Sequence, residues 1–417
     1  MRKTFLYIIL FLLSVNVFAE KEDSVFAEQD TLPHVDARLA IMECDSRSWL
    51  STFGHVALHL ICEEAGLDYA FSYETDYDMP LLSMVRGEAA VGLLAVPWKD
   101  YVAKYHSEGR NVDEYELNLT DEEKRKLWSL VDTYVDKGRY MNIDLLDHGC
   151  SEETVALIRA SVDGTIEYDK SSLPKAHTLY DMGKMYCPAH SLMYFMMVQN
   201  THVVDIKIND EDKVALPPIL YDILSKAVIH PNDGTRDRSL LVEGSHISIK
   251  AQEHLVDTGH FRIDYLLYAL LIFTIVICAA ELCIGKKNRV AKIMGITCDI
   301  VLLTIYLAQA LLFFFIVPVC NLTYAGGWNT NMLVYNLIPV FVYAFGMVTN
   351  FGNRAWMRVY AFYTIALILF LVYMSVMRER FIVEQMVLIL TFIIRCACKT
   401  FERYKRYKSN KQHKQHY

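Results

Sequence analysis

Apolar positions follow three regimes along the 417 residues. Phe5–Val15 is a short apolar run behind Arg2 and Lys3, and Val17-Phe18-Ala19 follows it ahead of Glu20. A basic start, a brief apolar stretch and a small residue at its end read as an export signal, residues 1–19, cleaved after Ala19. The run is too short to span a bilayer. From 20 to 262 apolar and polar positions interleave. Arg38–Cys44 and Ser51–Cys62 alternate with the period of strands, separated by a loop at Asp45–Trp49, and Leu67–Tyr73 is a third such run ending in an acidic loop, Glu74–Pro80. Thr120 and Glu123 form a capping box ahead of Leu127, Leu130, Val131 and Tyr134, which share one helical face. Cys150–Arg159 reads as a loop running into a helix, Pro217–Ala227 as a further helix, and Ser239–Val242 as a short strand behind the turn-rich Pro231–Arg238.

From 263 to 397 the chain is mostly apolar. A hydrocarbon core of about 30 Å takes roughly 20 apolar residues per helix, and runs of that kind occur at 263–284, 293–318, 332–350, 356–377 and 381–397, the last being short. The expectation is about five spans. Lys286, Lys287, Arg289 and Lys292 mark one connecting loop, and Arg354 and Arg358 another. The segment from Arg395 onward holds eight Lys or Arg against one Glu, with residues 398–417 as a basic tail. Short basic loops stay in the cytoplasm, so the export signal and the charge pattern both place residues 20–262 in the periplasm and the tail inside, in the inner membrane. Glu281 and Glu384 lie near span ends, from which a carboxylate reaches the interface. Asn329, Asn331 and Asn336 cluster at the entry to the third run, where amides need partners.

Charge narrows the picture further. The net charge of −8 hides an acidic N-terminal half and a basic C-terminal end. An acidic exported half argues against nucleic acid as a partner. Of ten cysteines, four fall in the exported part: Cys44, Cys62, Cys150 and Cys187. None has metal-finger spacing, no phosphate-binding glycine pattern is present, and no cofactor is implied. Cys44 and Cys62 sit on neighbouring predicted strands and are a possible disulfide.

Two residues carry candidate chemistry. Cys150, in Asp147-His148-Gly149-Cys150-Ser151, precedes a helix, and a helix N-terminus favours thiolate. His55, in Phe53-Gly54-His55, lies on an apolar strand. A strand histidine facing a cysteine at a helix head is the arrangement of a papain-like thiol enzyme. Here His precedes Cys by 95 residues, the order of a circular permutation. Spacing alone leaves other readings open. His59 shares the strand face of His55, His148 is closer in sequence to Cys150, and a cysteine at a helix start is often only a small buried side chain.

Phe53-Gly54-His55-Val-Ala-Leu and Gly149-Cys150-Ser-Glu-Glu-Thr resemble the His and Cys motifs of the Lnb family, the lipoprotein N-acyltransferases of Bacteroidota. Gly109–Thr120, Leu216-Pro217 through Ala227 followed by Arg238–Val242, and Asn329–Pro339 fit the same pattern in the same order. The resemblance departs at His148-Gly149, where the family has an Asn beside the Cys, and at Ser151-Glu152, which replace two threonines. It implies a permuted papain-like periplasmic domain followed by an all-α membrane domain. It further implies a phospholipid as acyl donor, a thioester on Cys150, His55 as proton carrier, and a diacylglyceryl-cysteine lipoprotein as acceptor. His148, His59, Asn329, Asn331 and Asn336 are supporting candidates. A membrane-tethered cysteine peptidase or amidase acting on cell-wall peptides, and a non-catalytic sensor or scaffold, are the alternatives.

Overall fold

The computed structural model describes residues 33–45, 47, 51–75, 88, 90–142, 149–200, 206–256, 261–284, 288–319, 330–334, 353–376 and 382–415. The signal segment, His148, Asn329, Asn336 and most of the expected span at 332–350 lie outside these residues.

The N-terminal region is built on an antiparallel sheet. Its strands are β1 (Asp36–Met42), β2 (His55–Cys62), β3 (Leu67–Thr75), β4 (Ala90–Pro97), β5 (Val112–Glu116), β6 (Arg139–Asn142) and, much later, β10 (Ile247–Ile249), in the order β10-β5-β1-β2-β3-β4-β6. Period-two alternation splits it into two faces. Leu39, Val56, Leu58, Leu60, Phe71 and Leu93 enter the main core, covered by α2 (Asp121–Asp136) through Leu127 and Val131 and by α3 (Cys150–Ser161) through Val155 and Ile158. Each such side chain contributes roughly 1.5–3 kcal/mol on burial. The opposite face carries Ala40, Met42, Ala57 and Ala70 under Tyr101 and Tyr105 of α1 (Trp98–Ser107). The small residues on that face let the tyrosines lie close to the sheet.

The predicted cap is present. Thr120 Oγ1 accepts the Glu123 N–H at 3.2 Å and the Glu123 carboxylate accepts the Thr120 N–H at 2.8 Å. The disulfide is absent, and Cys44 and Cys62 are free thiols. The register explains this. Met42 faces His55 while Asp36 faces Ile61, so Cys44, beside Gly54, and Cys62 sit at opposite ends of the hairpin, roughly 25 Å apart at the strand rise, far beyond disulfide reach.

After α3 come β7 (Gly164–Glu167), the helices α4 (Leu179–Tyr186), α5 (Leu192–Asn200) and α6 (Pro217–Leu224), and the strands β8 (Val228–Pro231) and β9 (Arg238–Ser239). β7, β8 and β9 pair as a second sheet.

The C-terminal part is helical: α7 (Ile263–Cys283), α8 (Arg289–Val319), α9 (Asn353–Val376) and α10 (Val383–Gln415). Among the described residues, three helices are long and apolar enough to cross a membrane, Ile263–Cys283, Arg289–Leu312 and Arg354–Val376, against the five expected. The expected run at 381–397 proves to be the first part of α10, which continues unbroken through the basic tail. Its polar side chains explain why it fails as an apolar span. Arg395 is fully buried and donates to Asp299 of α8 and Glu281 of α7, each at 2.6 Å, and Lys399 also pairs with Asp299. Two acids and two bases thus sit together where three helices meet, facing protein. The two carboxylates expected at the interface are buried among protein groups: Glu281 is ion-paired inside the bundle, and Glu384 is bonded to His190.

Candidate active site

His55 is the first residue of β2. The chain reaches it through Gly54, whose backbone is left-handed at φ 74°, and a Cβ there would lie 2.6 Å from the Met42 carbonyl oxygen. Only glycine fits that turn. Cys150 is the first residue of α3, where the first-turn N–H groups lack helical partners. Helix α3 packs on β2 and β3, which brings the two predicted residues together. Cys150 lies close enough to the His55 ring and to the Val56 backbone N–H for both to act on its thiol.

Behind His55 stands a chain of polar groups. Its Nε2 lies 2.7 Å from Ser72 Oγ and 3.5 Å from Glu74 Oε1. Ser72 Oγ donates to Glu74 Oε1 at 3.3 Å and accepts from the Tyr101 hydroxyl at 3.1 Å. Lys104 Nζ donates to the same Glu74 oxygen at 3.4 Å. The register makes this possible. Ala57 faces Ser72 across β2 and β3, so one step of the alternation further along, His55 and Glu74 meet on the same face.

The electrostatics follow from that geometry. Burial alone would strip the His55 imidazolium of its proton. The adjoining Cys150 thiolate, and then Glu74, outweigh it and hold His55 at about 10. Burial likewise opposes the thiolate, yet His55, with help from Ser151 and the Val56 N–H, lowers the Cys150 thiol below its ordinary value. Glu74 is desolvated too, but His55 and Lys104 pull its carboxyl down to about 2. The arrangement favours an ion pair between a thiolate and an imidazolium, with the Glu74 carboxylate charged beside the same ring.

Other predicted residues lie elsewhere. His59 is four residues along β2, buried and away from Cys150. Its Nδ1 lies 2.5 Å from Glu114 and its Nε2 2.6 Å from Asp68, and the ring stacks on Trp98 at 3.9 Å between centroids. Neither nitrogen remains to serve a thiol. Asn331 is buried in the helical part, where it donates to the Gln199 carbonyl at 3.0 Å and accepts from Gln385. It joins α5 to α10. Among the described residues no group of three or more His, Cys, Asp or Glu is placed to hold a metal ion.

Ser72, Glu74, Tyr101 and Lys104 were not singled out from the sequence. The acidic run places Glu74 in a loop by sequence, whereas β3 runs on to Thr75. The available signal was a serine among large apolar residues, Phe71-Ser72-Tyr73, followed two positions later by an acid, which puts both polar side chains on one strand face.

A search of curated proteins and one of solved structures found no match to the chain. Residues 38–182 match the family model described as the Lnb N-terminal periplasmic domain. That stretch contains both Cys150 and His55, and three apolar helices able to cross a membrane follow it. Residues 38–182 are thus similar to the Lnb N-terminal periplasmic domain, and with the apolar helices that follow they support a membrane protein with a periplasmic N-terminal region.

Proposed function

We propose that the protein is a lipoprotein N-acyltransferase working through a thioester on Cys150, in the inner membrane with its C-terminus in the cytoplasm. The observation that carries this reading is the Cys150–His55 pair, backed by Glu74, inside an Lnb domain joined to apolar helices. The order of strand histidine and helix-head cysteine supports a permuted papain-like design.

In the first step Cys150 Sγ attacks the ester carbonyl of a phospholipid. The C–S bond forms, the ester C–O bond breaks, and the His55 imidazolium gives its proton to the departing lysophospholipid oxygen. First-turn N–H groups of α3 would hold the oxyanion. In the second step the α-amine of a diacylglyceryl-cysteine lipoprotein attacks the thioester. His55 takes the amine proton, the C–N bond forms, and the C–S bond breaks to return the thiolate. Ser72 and Glu74 orient the ring and stabilise its charge throughout. No metal or nucleotide enters either step. Both substrates are anchored in the outer leaflet, which suits a thiol domain fixed to a membrane block.

The test is mass spectrometry of lipoprotein N-termini in a host lacking its own N-acyltransferase, expressing either this chain or its Cys150→Ala variant. The expected result is N-acylated termini with the first and free amines with the second. Free amines in both overturn the reading. Cleaved cell-wall peptides in their place would point to the peptidase or amidase.

A further inference from the structure

The periplasmic region does not simply precede the membrane block. From Met185 to Val204 the chain has no Asp, Glu, Lys or Arg, and most of this stretch forms α5 and the turn that joins it to α4. Tyr194, Phe195 and Val198 of α5 are buried in one cluster with Leu302 and Tyr306 of α8 and Leu388, Ile389 and Phe392 of α10. The two short helices are bound to each other by the Tyr180 and Tyr194 hydroxyls at 2.9 Å and by close contact at Gly183, where a Cβ would meet Met197 Sδ at 2.4 Å. Three polar ties fix the hairpin to the helical part. His190 pairs with Glu384, Asn331 bridges Gln199 and Gln385, and Ser191 bridges Arg262.

The last of these ties sets the height. An antiparallel bridge between Ser191 and Arg262 puts Leu192 beside Phe261, and the Ile263 N–H donates to the His190 carbonyl at 3.0 Å. Ile263 begins the span α7. The start of α5 is therefore level with the start of a membrane helix. Around that level Leu192 is 49% exposed, Phe261 65% and Leu266 55%, an apolar surface continuous with the lipid-facing side of α7. At about 1.5 Å per residue, nine-residue α5 is about 14 Å long, enough for one leaflet and too short for the roughly 30 Å hydrocarbon core. All its backbone groups but the terminal ones can bond within the helix, as an apolar environment requires.

We propose that α5 and the turn before it, from Met185 onward, form a wedge seated among the acyl chains of the outer leaflet, with Met185 and Leu192 against lipid and the charged Asp181 and Lys184 of α4 on the water side. The wedge also reaches the thiol site. Phe53, two residues before His55, packs both against the helical cluster that holds Tyr194 and against Met182 and Leu216. The hairpin thereby fixes the height of the Cys150–His55 pair over the bilayer. This placement goes beyond the acyl-transfer reading and does not depend on it.

The test uses the full-length protein in vesicles of phosphatidylethanolamine and phosphatidylglycerol doped with a phospholipid bearing a diazirine near the end of one acyl chain. After irradiation, adducts are mapped by peptide mass spectrometry. An interfacially embedded helix predicts adducts within 185–199 at about the yield found in Ile263–Cys283 and roughly ten-fold above that in α2. Labelling of 185–199 no higher than that of α2 overturns the proposal. The Cys150→Ala variant should give the same map as the wild type, since packing sets the placement. A hairpin map with no thioester chemistry would sink the functional reading alone, and the reverse would sink the wedge alone.

Discussion

The start and the middle of β2 present the same residue type on the same face of the same strand and make opposite uses of it. At the start His55 has a carboxylate and a serine at Nε2 and a thiol beside the ring. In the middle His59 has carboxylates at both nitrogens and an indole against its ring. Both histidines are held firmly. What separates them is whether the final partner can react. At His55 one place around the ring is given to a thiol, so the interaction that favours the imidazolium also favours the thiolate. At His59 every place is given to an acceptor, and the ring acts as a cross-link between β2, β3 and β5. A histidine on an apolar strand is thus not a site until its neighbours are known.

The largest effect that would break this contrast comes from His55→Ala. Without the imidazolium, the main influence opposing burial is lost and burial drives the Cys150 thiol up. The rate of alkylation by iodoacetamide at pH 7 should fall about 100-fold, and its rise with pH should move above the thiol's ordinary value. An unchanged profile would show that His55 does not control the thiol.

Next comes His59→Gln. It should leave the Cys150 alkylation rate within about two-fold while lowering stability by about 3 kcal/mol, because buried Glu114 loses its partner. Thermal unfolding in detergent measures the second quantity. A large fall in alkylation with no loss of stability would reverse the roles assigned to the two histidines.

Glu74→Gln sharpens the contrast within the site. The carboxylate that helps hold His55 at about 10 is lost, so thiolate reactivity at pH 7 should drop about ten-fold. The pH dependence of stability carries a distinct signature. Glu74 is depressed to about 2, so its contribution is full above its ordinary value near 4.5 and is lost as pH falls toward 2. His55 is raised, so its contribution is full below about 6.5 and is lost as pH rises through about 10. The stability gap between wild type and Glu74→Gln should therefore be widest between about pH 4.5 and 6.5 and should shrink on either side, as melting temperatures across a pH series would show.

The smallest effect is expected from Thr120→Ala. It removes a helix cap far from both histidines, costing about 1 kcal/mol with no change in Cys150 alkylation. A change in reactivity would mean that the site depends on global stability rather than on its own neighbours.

Local signals made some of this legible in the sequence and tertiary contacts hid the rest. The β1–β2 alternation, the capping box at Thr120 and the position of Cys150 at a helix head each depend on residues within a few positions of one another, and all three are present in the structure. Glu74 was hidden because its role depends on the cross-strand register of β2 and β3, and because the acids that follow it resemble a solvated loop. Glu281 was read as an interfacial carboxylate because its partner, Arg395, lies more than a hundred residues away on α10. The same partnership places charge inside an expected span, which is why α10 does not read as an apolar membrane helix. The split at residue 262 also looked clean in composition, whereas α5 packs with the helices beyond it.

The central claim is that Cys150 carries an acyl group taken from phospholipid. The most direct measurement is mass spectrometry of the Cys150 peptide from purified full-length protein incubated in phospholipid vesicles without lipoprotein acceptor, before and after neutral hydroxylamine. The account predicts a fatty acyl adduct on Cys150 that hydroxylamine removes, that is absent in His55→Ala, and that disappears when a diacylated lipopeptide is added. A Cys150 thiol that stays unmodified in the wild-type protein, with its peptide fully recovered, would contradict it.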